Sequence, residues 1–123
     1  MVTDSTDGPP DLPAGSLATM RWHGSTVVVT ACGEIDVLTT PGLRWPLTQA
    51  LRRNPSVVVF DLTDVTFIGS SGLSVLALAG RDFDRSAVRV VATSQAVTRP
   101  LGLMGLNRVL TVFSSLPEAL AGP

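Results

Sequence analysis

The sequence predicts a single α/β domain: a mixed sheet of about five strands with about four helices packed on it. Three observations carry that reading. Short stretches dense in β-branched residues recur along the chain, and residues 57–60 (Val-Val-Val-Phe) form the continuous apolar run of a strand buried on both faces. Between these stretches the apolar residues change to helical spacing. The 123 residues, 45% of them apolar, suffice for one core without disulfide or metal staples.

Residues 1–15 are rich in Pro, Gly, Asp, Ser and Thr and are expected to form a flexible tail, leaving 16–123 as the domain. Residues 17–22 supply a first strand, His23-Gly24-Ser25 a turn, and residues 26–30 a second strand that closes a hairpin. The second strand runs through Ala31 and Cys32 into Gly33-Glu34-Ile35-Asp36. Thr39 can cap a helix with Pro41 in its first turn. Leu43, Leu47, Ala50 and Leu51 line one face of it, and Arg52 and Arg53 suit the negative end of its dipole. Pro46 inside that helix has no account at the level of sequence.

After the third strand, Asp61 and Asp64 read as residues flanking a turn. Gly69-Ser70-Ser71-Gly72 then leads into a helix, with Ser70 or Ser71 as its N-cap. Leu73, Leu76, Ala77 and Gly80 form its inner face, with Phe83 near it. Residues 88–92 make a fourth strand. Ser94 caps a helix that directs Val97, Leu101 and Met104 inward, contains Pro100, and stops at Gly105. Residues 109–113 make a fifth strand, and Ser115 with Glu118 has the spacing of a capping box that opens a short last helix.

Composition excludes several function classes. The formal charge is −1, and all nine basic residues are scattered arginines, so the basic stripe of a nucleic-acid binder is missing. No apolar run is long enough to span a membrane and no secretory signal is visible. A single cysteine, Cys32, cannot form an internal disulfide, which fits a reducing cytosol; it is expected to be a small buried apolar residue, with a redox role by intermolecular pairing the alternative. The domain is therefore expected to be soluble and cytoplasmic. Asp61 and Asp64 have no third ligand at metal-binding spacing, so no metal or cofactor is expected. His23 is the only histidine and lies far from Ser70 in sequence. Gly69-Ser70-Ser71-Gly72 also fails the G-x-S-x-G spacing of serine hydrolases, so enzyme activity is not expected.

The serine pair at the strand–helix junction is the candidate functional feature. A helix N-terminus carries unpaired N–H groups and about half a positive charge, so an oxyanion is stabilised there. Ser70 or Ser71 is thus either a capping serine or a phosphoacceptor, and residue type alone leaves both open.

Gly33-Glu34-Ile35-Asp36 after the second strand resembles a STAS domain when taken with two further segments. These are Asp61-Leu62-Thr63 with Phe67-Ile68-Gly69-Ser70-Ser71-Gly72-Leu73, and Ser94-Gln95-Ala96-Val97 with Leu103-Met104-Gly105-Leu106. The resemblance covers roughly residues 17–121 and is greatest to the stand-alone anti-sigma factor antagonists of bacteria. It implies a partner that is both an anti-sigma factor and a serine kinase, bound by the unmodified antagonist so that a sigma factor is released. Ser70 matches the family's phosphoacceptor, and a serine phosphatase would reset it. Asp36, Gly69, Ser71, Gly72 and Ser74 are the implied partner-binding residues, on a chain expected to be monomeric. The family usually has aspartate before the acceptor serine, whereas this chain has Gly69, which removes a negative charge and permits positive φ. The alternative is a constitutive STAS-type binding module without a phospho-switch.

Overall fold

The computed structural model describes residues 18–37, 44, 48–50, 52–82 and 87–121. Its five strands are β1 (Ala18–His23), β2 (Thr26–Ile35), β3 (Val57–Ile68), β4 (Val88–Val91) and β5 (Thr111–Phe113). They lie side by side in sequence order in one sheet. β1 and β2 form the expected antiparallel hairpin, with His23 inside the strand and paired with Thr26. The β2–β3, β3–β4 and β4–β5 pairs are parallel, which makes the sheet mixed. The helices are α1 (Ser70–Asp82), α2 (Gln95–Leu103) and α3 (Leu116–Ala121), with a 3-10 turn at Leu106–Arg108. Of the helix expected to start at Thr39, Arg44 and residues 48–50 are helical. Thr39, Pro41, Leu43, Pro46, Leu47 and Leu51 lie outside the described residues, as do the 1–15 segment and Phe83.

Alternation along the strands divides the apolar residues between two faces. Val27, Val29, Val58, Phe60, Val88 and Val90 face one way, onto Leu73, Leu76 and Ala79 of α1 and Val97 and Leu101 of α2. Val28, Val59 and Val91 face the other way and meet Ala119, with Leu116 and Leu120 beside it, from α3. Covering both faces explains why the middle strands read as unbroken valine runs. Arg89 is the exception on β4: it is 5% exposed, donates from Nη1 to the Ala119 carbonyl and stands over the Phe113 ring, so it fastens α3 to the sheet.

β3 does not end at Phe60, and Asp61 and Asp64 do not flank a turn; the strand continues to Ile68. Against β2 its register slips twice, between Thr30/Cys32 and between Gly33/Glu34. Each slip inserts one extra β3 residue, as in a β-bulge. The inward positions of this half of β3 are therefore Leu62, Val65 and Ile68 rather than alternate residues. That three-residue spacing hides the strand from a period-two reading. Gly33 takes φ +76° at the second slip, a conformation that glycine adopts without strain. Cys32, beside the first slip, is exposed rather than buried.

Two smaller differences have equally local causes. Met104 is 63% exposed, because α2 ends at Leu103 and Gly105 (φ +71°) reverses the chain, so that Leu106 takes the inward place. β5 is shorter than expected, beginning at Thr111; the preceding Leu110 is fully buried. The cap on α2 forms as its sequence suggests, with Ser94 Oγ accepting from Ala96 N at 3.1 Å.

Candidate functional site

Parallel pairing places the C-terminal ends of β2 and β3 at the same edge of the fold, and α1 starts there. Ile35 pairs with Ile68. One residue later, Gly69 donates its N–H to the Ile35 carbonyl at 2.7 Å. The Gly69 carbonyl then accepts from Leu73 N at 3.0 Å, the first bond of the helix. Gly69 therefore occupies the N-cap position, and neither serine does. Its φ is not positive, so glycine is not required there by the backbone.

Ser70 is the first helical residue and is exposed. Ser71 is half-buried. Ser74, one turn on, is exposed and donates from Oγ to the Ser70 carbonyl at 2.9 Å. The first turn of α1 holds no acidic residue, while Arg81 lies in its last turn. The positive end of the helix dipole thus has no carboxylate of its own helix against it.

Gly72 is buried and has a steric reason to be glycine. A Cβ there would lie 2.7 Å from Ile35 Cγ2 and 2.9 Å from Ile68 Cγ1. Those two isoleucines end β2 and β3, so Gly72 lets α1 sit directly on the strand ends. Two turns later a Cβ on Gly80 would meet the Val109 carbonyl oxygen at 2.7 Å. Through Gly72, the close approach of α1 fixes where Ser70 stands.

Asp36 follows Ile35 directly and is half-buried, so the β2–β3 pairing and the Gly69–Ile35 bond bring it to the edge that carries Ser70. Of the expected site residues, Asp36, Gly69, Ser70, Ser71 and Gly72 meet at this one edge, and Ser74 extends it along α1. Asp61 is elsewhere on β3 and is used locally: its Oδ1 accepts from Thr63 N at 3.1 Å and from Thr63 Oγ1 at 2.6 Å. Among the described residues no three His, Cys, Asp or Glu side chains are grouped to hold a metal ion.

His23 sits at the opposite end of the sheet, beside the first residue of β2. β2 has ten residues, and at about 3.3 Å each they separate the two ends by about 30 Å. Ser70 therefore has no histidine base within reach, and a Ser-His triad is geometrically excluded. No helix among the described residues is long and apolar enough to cross a membrane.

Sequence reasoning missed the apolar side chains around this edge. Phe67 is 50% exposed, Leu78 49% and Val37 76%. Ser70, Ser74 and Leu78 fall four residues apart, one exposed stripe along α1. That spacing was legible in the chain. The exposure of Phe67 was not, because it follows from the second β3 bulge.

An exposed serine opening a helix at the ends of two parallel strands, in a sheet with one antiparallel edge strand, defines a class. The sequence profile of the STAS domain matches residues 18–119, and the chain belongs to that family. Within it the chain belongs with the anti-sigma factor antagonists. Anti-sigma-F factor antagonist RsfB of Mycobacterium tuberculosis (strain H37Rv) is 35% identical over 111 residues, 89% of this chain and 91% of that protein. The crystal structure of an anti-sigma factor antagonist from Mycobacterium paratuberculosis superposes with a TM-score of 0.78 at 33% identity, over 84% of this chain and 89% of that one. The anti-sigma factor antagonist SpoIIAA in its unphosphorylated form superposes with a TM-score of 0.68 at 20% identity, over 84% of this chain and 92% of that one; this likeness concerns the fold.

Proposed function

We propose that this chain binds an anti-sigma factor that is also a serine kinase, so releasing a sigma factor, and that phosphorylation of Ser70 ends the complex until a serine phosphatase resets it. The observation that carries the reading is the exposed hydroxyl of Ser70 at the first position of a helix whose first turn holds no acid. A kinase can reach it, and the helix end tolerates the product. The phosphate adds about −1.5 to −2 charges, which the dipole stabilises by about 0.3–1 kcal/mol within the domain.

Across an interface the sign reverses. One added charge about 6 Å from a partner carboxylate, at an effective dielectric of about 20, is repelled by about 2–3 kcal/mol. That is about a hundredfold in affinity, with no refolding of the antagonist. Asp36, Gly69, Ser71 and Ser74 would lie inside the contact, while Gly72 would set the position of the helix end.

A second reading is a constitutive binder, favoured by Gly69 standing where the family usually has aspartate. Capture from the native host with wild-type, Ser70→Ala and Ser70→Glu baits separates the two. Retention of an ATP-binding kinase by the first two and its loss with Ser70→Glu supports the switch. Equal retention by all three supports the constitutive binder. Phosphate incorporation that persists in Ser70→Ala would move the acceptor elsewhere, first to Ser71.

A further inference from the structure

We infer that Phe67 and Gly69 together select the anti-sigma factor this chain binds, by presenting an uncharged aromatic surface beside Ser70 to an apolar patch on that partner. The inference rests on the proposed function and adds the chemistry of the contact. Gly69 is not glycine for the sake of the fold. Its φ is not positive, and a Cβ there would meet Phe67 Cε2 at 3.4 Å, the Ile35 carbonyl oxygen at 3.6 Å and Phe67 Cζ at 3.8 Å, all ordinary contacts. A helix N-cap accepts aspartate at least as well as glycine. Space, backbone and capping would all admit the carboxylate, so its absence acts on the surface rather than on folding.

What stands beside the gap is Phe67. Its ring edge lies against Gly69 and half of the residue remains exposed. Val37, 76% exposed, comes two residues after the carbonyl that Gly69 binds. The carboxylates of this edge come from the β2 side: Glu34, across the register from Phe67, lies on β2, and Asp36 directly follows that strand. The surface immediately before Ser70 is thus apolar on the β3–α1 side and acidic on the β2 side. A matching anti-sigma factor is apolar opposite Phe67 and basic opposite β2. Aromatic residues at the centre of a contact are the usual energetic anchors. A carboxylate introduced at residue 69 would be buried unpaired against that apolar patch.

The test is calorimetric titration of the full chain with each purified anti-sigma kinase of the host, comparing wild type with Phe67→Ser, Phe67→Leu and Gly69→Asp. Thermal melts confirm that each variant is folded. Phe67→Ser and Gly69→Asp are each expected to weaken the preferred pair at least about tenfold, while Phe67→Leu keeps most of the affinity. Wild-type binding by both Phe67→Ser and Gly69→Asp would overturn the inference and leave the proposed function standing, provided Ser70→Glu still dissociates. Tighter binding by Gly69→Asp would also overturn it, since the partner would then be cationic at that point. If wild type binds none of these kinases, the proposed function falls and this inference falls with it.

Discussion

Replacing Gly72 by alanine isolates the packing that positions Ser70. A helical Gly→Ala change normally stabilises by up to about 1 kcal/mol. Here the added methyl would stand 2.7 Å from Ile35 Cγ2 and 2.9 Å from Ile68 Cγ1, with Ile68 Cδ1 at 3.3 Å. Carbon atoms pack best at about 3.5–4.0 Å, so α1 and the strand ends must part by nearly 1 Å. Both isoleucines are 3% exposed, and β-branched side chains have few rotamers to escape into. Overpacking of this kind costs about 1–3 kcal/mol. Set against the gain in helix propensity, the net expectation is a loss of about 1–2 kcal/mol. In a domain of this size that lowers Tm by about 4–8 °C. The same displacement moves Ser70 away from Asp36, so partner binding should weaken with stability. Gly102→Ala is the internal control: nothing lies within 4 Å of its Cβ, and it should hold Tm or raise it. Thermal and denaturant unfolding of the two variants is the assay. Stabilisation of both alike would refute the argument, because Gly72 would then be an ordinary helical glycine.

Arg89→Ala should destabilise by about 2–4 kcal/mol, since it opens a cavity and leaves the buried Ala119 carbonyl without its charged donor. Hydrogen exchange should show Leu116–Ala121 losing protection first, and unchanged exchange in α3 would count against the fastening role. The bond from Ser114 Oγ (2.7 Å), helped by Ser115, holds the Glu118 carboxyl below its ordinary range. A lowered carboxyl contributes stability that is present above its unfolded pKa and fades as pH falls through the folded one. Acid titration should therefore loosen α3, and Glu118→Gln should remove that part of the pH dependence. The group is fully exposed, so the change should be small and confined to the C-terminal helix. His23→Ala should leave partner binding and Ser70 phosphorylation unchanged, because the sheet separates the two residues; an effect on either would contradict the placement of β1.

Local chemistry made much of this protein legible in its sequence. The apolar run that opens β3 read as a strand buried on two faces and the β-branched stretches of β2 and β4 as strands, while Ser94 and Gly105 bound α2 through their own side-chain and backbone preferences. Ser115 also caps α3, its Oγ accepting from Glu118 N at 3.3 Å. Each of these depends on residues within a few positions of one another. The Gly-Ser-Ser-Gly junction was likewise recognisable as a strand-to-helix transition with an available hydroxyl.

Tertiary structure alone decided how that junction is built. Two slips of register against β2 extend β3 to Ile68 and turn Phe67 outward, and no periodicity in β3 itself announces them. Gly69, not a serine, caps α1, because the bond from its N–H to Ile35 anchors the chain before the helix starts. Gly72 is required by isoleucines on two strands, one of them 37 positions away in the sequence. Sequence thus determined which residues could be strand, helix, cap or phosphoacceptor. Which of them meet was set by long-range strand pairing and close packing, and those depend on partners that no local window contains.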